Sequence, residues 1–511
     1  MTFEQLLDGA EVLAQSGSAQ ITGVEYDSRQ VRPGTLFVAM RGGSSDGNRF
    51  IDAAIKAGAV AIVTDSPEEQ PRKNVAWAVV SHGRRGLGRT SANFYKRPAE
   101  RLALAGITGT NGKSTTAFLI ESILTASRKK CALVGTIEYH VCGKTLPAPH
   151  TTPESLELNR LLAEAVACGS TEAVLEVSSH ALDQQRVFAM PFDVAVFTNL
   201  TRDHLDYHIT FEAYFAAKRV LFEGCGTEPP RAAVLNLDDS YGAQLVPFSK
   251  DKGSLVLTYG ASAGDFRAEE LQISATGTRF RLITPEGSVP IFSPLLGRVN
   301  VSNILAAAAA AYARNCSLEG ISIGVSALQR VPGRFERVDA GQPFTVAVDY
   351  AHTDDALRNL TKVAREFMSQ HGGRGRVITV FGCGGDRDRT KRPLMAAAAA
   401  QGSDFVVLTS DNPRSERPLA IIRDALTGLQ RLNTKFAVEA DRRAAIALAL
   451  HHARPGDIVL IAGKGHEKFQ ILSTGPVPFD DVEEAREVLR TLGYGNPKRP
   501  AMTISGASYT E

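Results

Sequence analysis

Short apolar runs alternate with amphipathic stretches along most of this chain. The runs are LFVAM, AVAIV, WAVV, LALAGIT, CALVGT, EAVLEVS, VAVFTNL, RVITVFG, DFVVLTS and DIVLIAG. Continuous apolar runs of this length are typical of strands that are covered on both faces of a sheet. The stretches between them, such as RFIDAAIKAGA, have helical periodicity. This alternation predicts an α/β fold built on mostly parallel sheets with helices on both faces.

Two interruptions of the pattern indicate domain boundaries. Pro98 breaks a helical stretch before a new strand, and Pro332-Gly333 follows an alanine-rich helical region at 303–314. A chain of 511 residues is also too long for one hydrophobic core. We therefore predict three α/β domains, at 1–97, 98–331 and 332–495. The tail, 496–511, has no periodicity and is predicted to be disordered.

The composition is that of an ordinary soluble globular protein. Hydrophobic residues make up 43% and charged residues 22%, with a net charge of +2. No basic run suggests a nucleic-acid or membrane surface. The N-terminus, MTFEQLLDGAEVL, is unlike a signal peptide, and no apolar run approaches the ~20 residues of a membrane span. We expect a cytoplasmic protein, and we expect it to be a monomer.

The six cysteines are scattered at 131, 142, 168, 225, 316 and 383. They form no C-x-x-C pair and have no zinc spacing. We therefore predict reduced core residues in a reducing compartment.

Residues 102–124, LALAGITGTNGKSTTAFLIESIL, have the pattern of a strand, a glycine-rich loop and a helix. Backbone amides of Gly109 to Ser114 would surround phosphates at the helix N-terminus. Lys113 would reach the β and γ oxygens, and the Ser114 hydroxyl would hold Mg²⁺. The usual loop has its first glycine where this chain has Ile107. This is a variant loop, and its context favours a nucleotide site over a structural turn.

Polar residues follow two later strands. Glu176 ends the run EAVLEVS, and His204 follows VAVFTNL. Ligands bind at the carboxyl ends of parallel strands, so both side chains are candidates for metal ligands. Taken singly, each is more often an ordinary loop residue than a metal ligand. We predict that two neighbouring strands deliver them beside the phosphate loop.

The helical stretch FEAYFAAKRVLF places Lys218 within an apolar stripe. Phe211, Tyr214, Phe215 and Phe222 share that stripe at helical spacing. Lysine is rarely buried without a partner. Its amine could reach solvent from the edge of the stripe, or it could have a function in the metal site.

The segment LTSDNPRSERP ends a predicted strand at Asp404 to Leu408 and then turns at Asn412-Pro413. A proline turn fixes the backbone direction, so Arg414 is aimed by what precedes it. Its planar guanidinium matches a carboxylate or a phosphate. The alternative is a solvated surface arginine beside Glu416.

With these motifs the chain resembles the Mur ligases over about residues 20 to 495, and within them the branch that adds the third residue to UDP-N-acetylmuramoyl-dipeptide. The resemblance rests on YDSR (26–29), GITGTNGKST (106–115), HTTP (150–153), EVSSHALDQQRV (176–187), NLTRDHLDYH (199–208), AAK (216–218), GRVNVSNILAA (297–307), PGRFE (332–336), DYAHT (349–353), GGDRD and KRP (384–393), DNPR (411–414) and GKGHE (463–467). One departure is Asp354, where the family usually has proline; it is expected to loosen the local turn.

The resemblance implies a UDP-binding domain, a central ATPase and a C-terminal Rossmann-like domain, with these site residues. The ATP-binding set is Gly109, Thr110, Asn111, Gly112, Lys113, Ser114, Thr115, Asn300, Asn303, Arg334, Asp349 and His352. The UDP-muramoyl-peptide set is Tyr26, Ser28, Gly43, Ser44, Ser45, Thr151, Thr152, Ser178, Gln184 and Arg186. The diaminopimelate set is Arg387, Asp411, Asn412, Pro413, Arg414, Gly463 and Glu467. The catalytic set is Lys113, Lys218, Glu176 and His204. The metal set is Ser114, Glu176, His204 and Lys218 as a CO₂-derived carbamate.

The resemblance further implies a ligase of peptidoglycan precursor synthesis, and hence of cell wall biogenesis, cell shape and cell division. It would use ATP and Mg²⁺ to add meso-2,6-diaminopimelate to UDP-N-acetylmuramoyl-L-alanyl-D-glutamate through an acyl phosphate. The alternatives are a lysine-adding ligase, a folylpolyglutamate synthetase and a P-loop ATPase that switches or moves a partner. The YDSR segment argues against the folate enzyme, because a UDP-sugar requires that domain and a folate does not.

Overall fold

The computed structural model describes residues 1–495 except 44, 275, 370–372 and 374. The chain forms two compact units, Met1–Gln329 and the part from Arg330 onward. The predicted division into three domains stays a prediction. The predicted tail, 496–511, lies outside the described residues, as does Ser44 of the predicted UDP site.

The first unit begins with a small α/β layer. Its elements are α1 (Phe3–Leu6), β1 (Val12–Ser16), β2 (Gly23–Glu25), β3 (Thr35–Ala39), a 3₁₀ turn (Gly47–Phe50), α2 (Ile51–Lys56), β4 (Ala59–Thr64), β5 (Ala76–Val80) and α3 (Gly83–Phe94). The strands form a sheet in the order β1-β5-β4-β3-β2, in which only β1 is antiparallel to its neighbour. Every residue of β3 and β5 is buried, as continuous apolar runs predict.

The central part of the first unit contains the phosphate-loop motif. Its elements are a 3₁₀ turn (Pro98–Arg101), β6 (Ala103–Thr108), α4 (Lys113–Ala126), β7 (Cys131–Val134), β8 (Glu138–Val141), β9 (Lys144–Pro147), α5 (Ser155–Ala167), β10 (Glu172–Glu176), α6 (Ser179–Asp183), β11 (Val194–Phe197), α7 (Leu205–His208), α8 (Phe211–Glu223), β12 (Ala232–Asn236), α9 (Ser240–Asp251) and β13 (Leu255–Tyr259). The strand order is β13-β12-β11-β6-β10-β7-β8-β9, with antiparallel pairing only where β8 joins β7 and β9. The loop after β6 therefore lies between the ends of β11 and β10.

The first unit ends with β14 (Arg267–Ser274), β15 (Gly277–Thr284), β16 (Gly287–Ser293), α10 (Arg298–Ala313) and α11 (Leu318–Ala327). The three strands form an antiparallel sheet. The alanine-rich middle of α10, 303–311, is buried on every side, because small side chains allow close packing all round a helix.

The second unit has one main sheet. Its elements are β17 (Glu336–Arg337), β18 (Thr345–Asp349), α12 (Asp354–Ser369), β19 (Val377–Cys383), α13 (Lys391–Gly402), β20 (Phe405–Ser410), α14 (Pro418–Leu429), β21 (Lys435–Val438), α15 (Arg442–His452), β22 (Ile458–Ala462), β23 (Phe469–Leu472), β24 (Gly475–Pro478) and α16 (Asp481–Thr491). The sheet order is β17-β18-β22-β19-β20-β21, parallel except at β17, and β23–β24 form a separate hairpin. Three neighbouring parallel strands, β22, β19 and β20, thus end at one edge.

The predicted fold class, α/β with mostly parallel sheets, is confirmed. The cysteine prediction was wrong for two residues, because Cys142 and Cys168 form a disulfide between the β8–β9 turn and the end of α5. Their Cα atoms lie 5.6 Å apart, within bonding range, although 26 positions separate them in sequence. Within the described residues no helix is long and apolar enough to cross a membrane.

Two contacts hold the start of α12 at Asp354, and the expected loosening relative to proline stays a prediction. Ala356 N donates to the Thr353 side chain (3.2 Å), and Arg358 pairs with the Asp354 carboxylate. An acidic residue in the first turn of a helix is also stabilised by the helix dipole.

Candidate active site

The phosphate loop is tightly packed between two other segments. Gly109 and Gly112 have φ angles of +147° and +89°, which residues other than glycine rarely adopt. A Cβ on Gly109 would lie 1.8 Å from the Thr198 hydroxyl after β11, and one on Gly112 would lie 2.5 Å from the Asn303 side-chain oxygen on α10. The two glycines of the variant loop are therefore required by its surroundings as well as by its backbone.

Two lysines converge on one carbonyl of this loop. Lys113 Nζ donates to the oxygens of Gly109 and Thr110, at 2.9 Å each, and Lys218 Nζ donates to Gly109 O at 2.9 Å. Lys218 is only 1% exposed, and its amine lies 4.4 Å from the centre of the Tyr214 ring. The interpretation in which Lys218 reaches solvent from the edge of α8 was therefore wrong. Burial, and then the nearby Lys113 charge, hold the pKa of Lys218 well below its usual range.

Glu176 is fully buried at the end of β10 and accepts three hydrogen bonds. Ser114 Oγ and Thr136 Oγ1 lie 3.0 and 2.9 Å from its Oε2, and Thr136 N donates to its Oε1 at 2.8 Å. A serine hydroxyl and a carboxylate beside a phosphate loop are hard oxygen ligands that suit Mg²⁺, which usually binds one or two carboxylates together with substrate phosphates. The pair Ser114 and Glu176 thus fits the predicted metal.

His204 lies in the loop after β11 with a left-handed backbone (φ +54°). Its Nε2 is 3.4 Å from Asp203 Oδ2, and its ring centre is 4.7 Å from that of His180. Desolvation by the surrounding residues lowers the pKa of His204, partly offset by Asp203, which favours the neutral imidazole that a metal ligand requires. The prediction that neighbouring strands deliver Glu176 and His204 was wrong. Glu176 ends β10 and His204 follows β11, and β6 lies between these two strands.

No group of three or more His, Cys, Asp or Glu side chains that could hold a metal was found in the described part of the chain. The predicted metal set contains only two residues of these types, Glu176 and His204. Its metal binding therefore stays a prediction.

The predicted muramoyl-peptide residues of the central part form one connected network. Thr152 Oγ1 donates to Glu176 O (2.7 Å) and accepts from Ser178 N (3.1 Å), and Thr136 Oγ1 lies 3.1 Å from Thr151 Oγ1. Arg186 donates to Thr152 O (2.9 Å) and to Gln184 Oε1 (2.8 Å). The structure thus brings Thr151, Thr152, Ser178, Gln184 and Arg186 together beside Glu176.

The predicted UDP-end residues are more dispersed. Tyr26 Oη donates to Glu157 of α5 (3.1 Å), and Ser28 follows two positions later in a half-buried segment. Gly43 and Ser45 are exposed in a loop after β3 that a hydrogen bond from Gly42 N to Ser45 O closes. A common UDP site for these residues stays a prediction.

Two predicted ATP-binding groups lie apart from the loop in sequence. Asn303 is buried on α10 next to Gly112, and its amide donates to Asn300 Oδ1 (3.0 Å). In the second unit, Asp349 accepts from Phe335 N (2.7 Å) and from Ala351 N (2.8 Å). The Arg334 guanidinium lies 4.7 Å from the centre of the Tyr350 ring, and His352 Nδ1 is 2.9 Å from Tyr350 O. The roles of Arg334, Asp349 and His352 toward ATP stay predictions.

The predicted diaminopimelate residues gather at the edge where β22, β19 and β20 end. Asp411 to Arg414 follow β20, Arg387 lies in the loop after β19, and Gly463 and Glu467 follow β22. Asn412 Nδ2 donates to Glu467 Oε2 (2.9 Å), which joins the ends of β20 and β22. Asp411 is buried, and a Cβ on Gly463 would lie 3.8 Å from its carboxylate. Sheet topology thus assembles residues that are distant in sequence.

Arg414 is fixed by its backbone and by one side-chain bond. It has a left-handed φ of +52°, its N donates to Ile471 O (3.0 Å), and its Nη1 donates to Gly385 O (2.8 Å). The Glu416 carboxylate pairs with the buried Arg392, and Arg414 is half-buried rather than fully solvated. The role of Arg414 toward a ligand stays a prediction. Burial, and then the nearby Arg387 charge, lower the pKa of Arg414. Both effects destabilise the charged guanidinium, and a bound anion would offset them.

Two residues that organise these sites were not predicted from the sequence. Thr136 donates hydrogen bonds to both carboxylate oxygens of Glu176. Its position just after the buried strand β7 could have indicated it as a site residue. Lys464 is completely buried just after β22. A lysine two positions beyond an apolar strand could have indicated it as a buried charge.

Comparison with known proteins identifies three family matches along the chain. Residues 20–95 match the Mur ligase family catalytic domain, residues 107–311 the Mur ligase middle domain, and residues 333–465 the Mur ligase glutamate ligase domain. A curated relative from Solibacter usitatus, named UDP-N-acetylmuramoyl-L-alanyl-D-glutamate–2,6-diaminopimelate ligase, is 51% identical over 95% of this chain and 96% of its own.

Two solved structures are also similar. One, of a UDP-N-acetylmuramoyl-L-alanyl-D-glutamate–2,6-diaminopimelate ligase, is 35% identical with a TM-score of 0.65, covering 93% of this chain and 95% of its own. A Mycobacterium tuberculosis folylpolyglutamate synthase is 19% identical with a TM-score of 0.59, covering 79% of this chain and 93% of its own. The second likeness shows a shared fold only.

Proposed function

Because this chain belongs to the Mur ligase family, we propose that it joins meso-2,6-diaminopimelate to UDP-N-acetylmuramoyl-L-alanyl-D-glutamate, with conversion of ATP to ADP and phosphate. The observation that carries the choice of amino acid is Arg414, a guanidinium fixed among strand ends and partnered by a backbone carbonyl. Diaminopimelate differs from lysine by a carboxylate on its distal carbon, and a bidentate arginine is the side chain best suited to bind it.

The reaction has two steps. The terminal D-glutamate carboxylate attacks the γ-phosphorus of ATP, the bond to ADP breaks, and an acyl phosphate forms. The amine of diaminopimelate then attacks the acyl carbon, a tetrahedral intermediate forms, and phosphate leaves as the nitrogen loses a proton. No protein nucleophile is needed, so the protein contributes positioning and charge neutralisation.

The phosphate loop accounts for the first step. Loop amides from Gly109 to Ser114 bind the phosphates at the start of α4, where the helix dipole favours an anion. Lys113 already has its ammonium on the loop carbonyls, and it would balance the charge on the transferring phosphoryl group. Mg²⁺ would be held by Ser114, Glu176, His204 and a modified Lys218, and when bound it would supply further charge neutralisation at the phosphoryl oxygens.

The proposal includes a carbamate on Lys218. A neutral lysine amine can attack CO₂, forming an N–C bond and losing one proton, which turns a cation into a carboxylate. Burial beside the Lys113 charge, and a low pKa, favour the neutral amine that this reaction needs. The carbamate would add a hard oxygen ligand close to Gly109.

Two rivals predict different behaviour. The match to residues 20–95 supports a UDP-sugar substrate over the folate of a folylpolyglutamate synthetase. A P-loop switch or motor would hydrolyse ATP without a carboxylate and an amine to join.

The deciding experiment is steady-state ligation by the wild-type protein. We expect ADP formation to require UDP-muramoyl-dipeptide and an amino acid together, and to be much faster with meso-diaminopimelate than with L-lysine. ATP hydrolysis that ignores both substrates would favour a switch or motor. Equal or better use of L-lysine would refute the diaminopimelate assignment, and use of a folate in place of the UDP-peptide would favour the synthetase.

A further inference from the structure

Lys464 is a completely buried lysine among the predicted diaminopimelate residues. Its Nζ donates to Glu467 Oε2 at 2.8 Å and to Asn412 Oδ1 at 3.1 Å, and it lies 3.9 Å from Asp411 Oδ1. Burying a lysine costs free energy unless charged or polar partners surround its ammonium group. Here all three partners belong to the set that the proposed function assigns to the amino-acid substrate.

These contacts fix the orientation of the Asn412 amide. Its Oδ1 accepts from both Lys464 Nζ and Ile471 N (3.0 Å), so its Nδ2 must face Glu467, to which it donates at 2.9 Å. Asn412 and Lys464 thus both restrain the Glu467 carboxylate. A carboxylate restrained by two donors loses little further freedom when it binds a third.

Both donors use the same oxygen of Glu467. Lys464 and Asn412 bind Oε2, and no hydrogen bond to Oε1 is found among the residues that the structure describes. The Glu467 side chain is 30% exposed, so a ligand can reach it. Although burial acts to raise the pKa of Glu467, the charge and hydrogen bond of Lys464 lower it below its usual value. Glu467 is therefore an ionised acceptor with one oxygen available.

We propose that Lys464 is a positioning residue for selectivity toward the distal ammonium group of the amino-acid substrate, acting by holding Glu467. The inference rests on the proposed function, which supplies a substrate with that ammonium. Without the Lys464 charge, Asp411 and Glu467 would be two nearby carboxylates with one cation fewer, and one of them would tend to take up a proton. Glu467 would then be a weaker and less well oriented acceptor.

The test compares two substrates that differ only at the distal nitrogen. Meso-diaminopimelate has the distal ammonium, and L-2-aminopimelate keeps the reacting amine and the distal carboxylate but lacks it. We expect the wild type to prefer diaminopimelate by about 10- to 100-fold in kcat/KM, the range of one charge-assisted hydrogen bond. Lys464→Met should remove most of that preference by raising KM for diaminopimelate, and should change kcat/KM for aminopimelate by less than about 3-fold.

Lys468→Met is the matched control. Lys468 lies on the same segment, but it is exposed and pairs with Asp480. We expect this variant to keep the wild-type preference. Thermal unfolding of both variants checks the fold, and Lys464→Gln, which keeps a donor without the charge, replaces Lys464→Met if that protein does not fold.

Three outcomes would overturn the inference: an equal loss with both substrates, an unchanged preference, or a preference that rises because a repelling cation has been removed. Failure of the proposed function is a separate result. In that case the wild type itself would not use meso-diaminopimelate.

Discussion

Lys218 and Lys464 are both buried lysines, but their partners differ in kind. Lys464 has Glu467 and Asp411 close to its ammonium group, so its positive charge is balanced. Lys218 donates to a neutral carbonyl, lies over an aromatic ring and has a second lysine nearby. The surroundings of Lys218 therefore favour loss of its proton.

The first prediction concerns the carbamate on Lys218. With ¹³C-labelled bicarbonate, the wild-type protein should give a protein-bound carbamate signal in its ¹³C NMR spectrum, and Lys218→Arg should not, because guanidinium stays protonated and does not react with CO₂. Lys218→Ala should be nearly inactive, with partial recovery on addition of a small carboxylate. The same ¹³C signal in the wild type and in Lys218→Arg would exclude Lys218 as the modified residue.

The second prediction concerns Arg414. A bidentate pair with the distal carboxylate stabilises the complex by roughly 1.5–3 kcal/mol. L-Lysine would also leave Arg414 desolvated and unpaired, so discrimination should reach about 2–5 kcal/mol, or ~30- to several-thousand-fold. Arg414→Ala should therefore lose most diaminopimelate ligation without becoming a good lysine ligase, as measured by kcat/KM for both amino acids.

Arg423→Ala is a suitable control for Arg414, since Arg423 is an exposed arginine on α14. It should leave both rates close to those of the wild type. A gain of lysine ligation in Arg414→Ala that matches its loss with diaminopimelate would show that Arg414 acts by excluding lysine rather than by binding the carboxylate.

The third prediction concerns pH and His140 on β8. Its Nδ1 lies 2.8 Å from the Glu121 carboxylate and its Nε2 2.9 Å from Glu138, and hydrogen bonding to Glu121 is the main cause that raises its pKa to about 9. Because the folded pKa lies above the unfolded value of about 6.5, this stabilisation is complete below about pH 6.5 and is lost as pH rises through about 9.

The charged His140 should contribute at most about 3 kcal/mol to the free energy of unfolding. An NMR titration of the His140 ring should give the raised pKa directly. His140→Gln should lower the melting temperature at pH 6.5 and have little effect at pH 9.5. An equal decrease at both pH values would indicate lost packing rather than a lost charge.

At the scale of elements, the sequence predicted the buried strands well and the exposed ones poorly. The apolar runs correspond to β3 to β7, β10, β11, β19, β20 and β22. β14 was missed because most of its residues, RAEELQIS, are polar and at least partly exposed, so it has no apolar run. Strands at the surface are specified by their pairing partners, which a local pattern does not contain.

Strand order was also invisible in the sequence. Glu176 lies at the end of β10, as its position in the apolar run indicated, but only the sheet shows that β6, with the phosphate loop, lies between β10 and β11. In the second unit, Asn412 and Glu467 are 55 positions apart and share a hydrogen bond because β20 and β22 both neighbour β19. Long-range contacts of this kind depend on topology.

The fourth prediction concerns the link between the β8–β9 hairpin and α5. Under non-reducing denaturing conditions the air-oxidised protein should show the four free thiols Cys131, Cys225, Cys316 and Cys383 by alkylation and mass spectrometry. A loop of 26 residues predicts a stabilisation of about 3.5 kcal/mol. Cys142→Ser should therefore have a lower melting temperature than the wild type without reductant and the same one with it. Six alkylated thiols in the oxidised protein would contradict the bond.

At the scale of the whole molecule, the predicted residues for the two chemical steps are distributed along the chain. The phosphate loop, Glu176 and Lys218 lie in the first unit, and the diaminopimelate residues lie in the second. The order of the motifs along the sequence indicates the same distribution.

The fifth prediction uses this distribution to separate the two steps. Formation of the acyl phosphate is reversible, so labelled ADP should exchange into ATP when UDP-muramoyl-dipeptide is present and the amino acid is absent. Arg414→Ala should keep this exchange, because Arg414 is proposed to contact only the second substrate, and should lose amide formation. Lys113→Ala should lose both activities and remain folded, because it removes the charge that stabilises the transferring phosphoryl group. If Arg414→Ala lost the exchange as completely as Lys113→Ala, Arg414 would act before the amine enters, and its assignment to the distal carboxylate would be wrong.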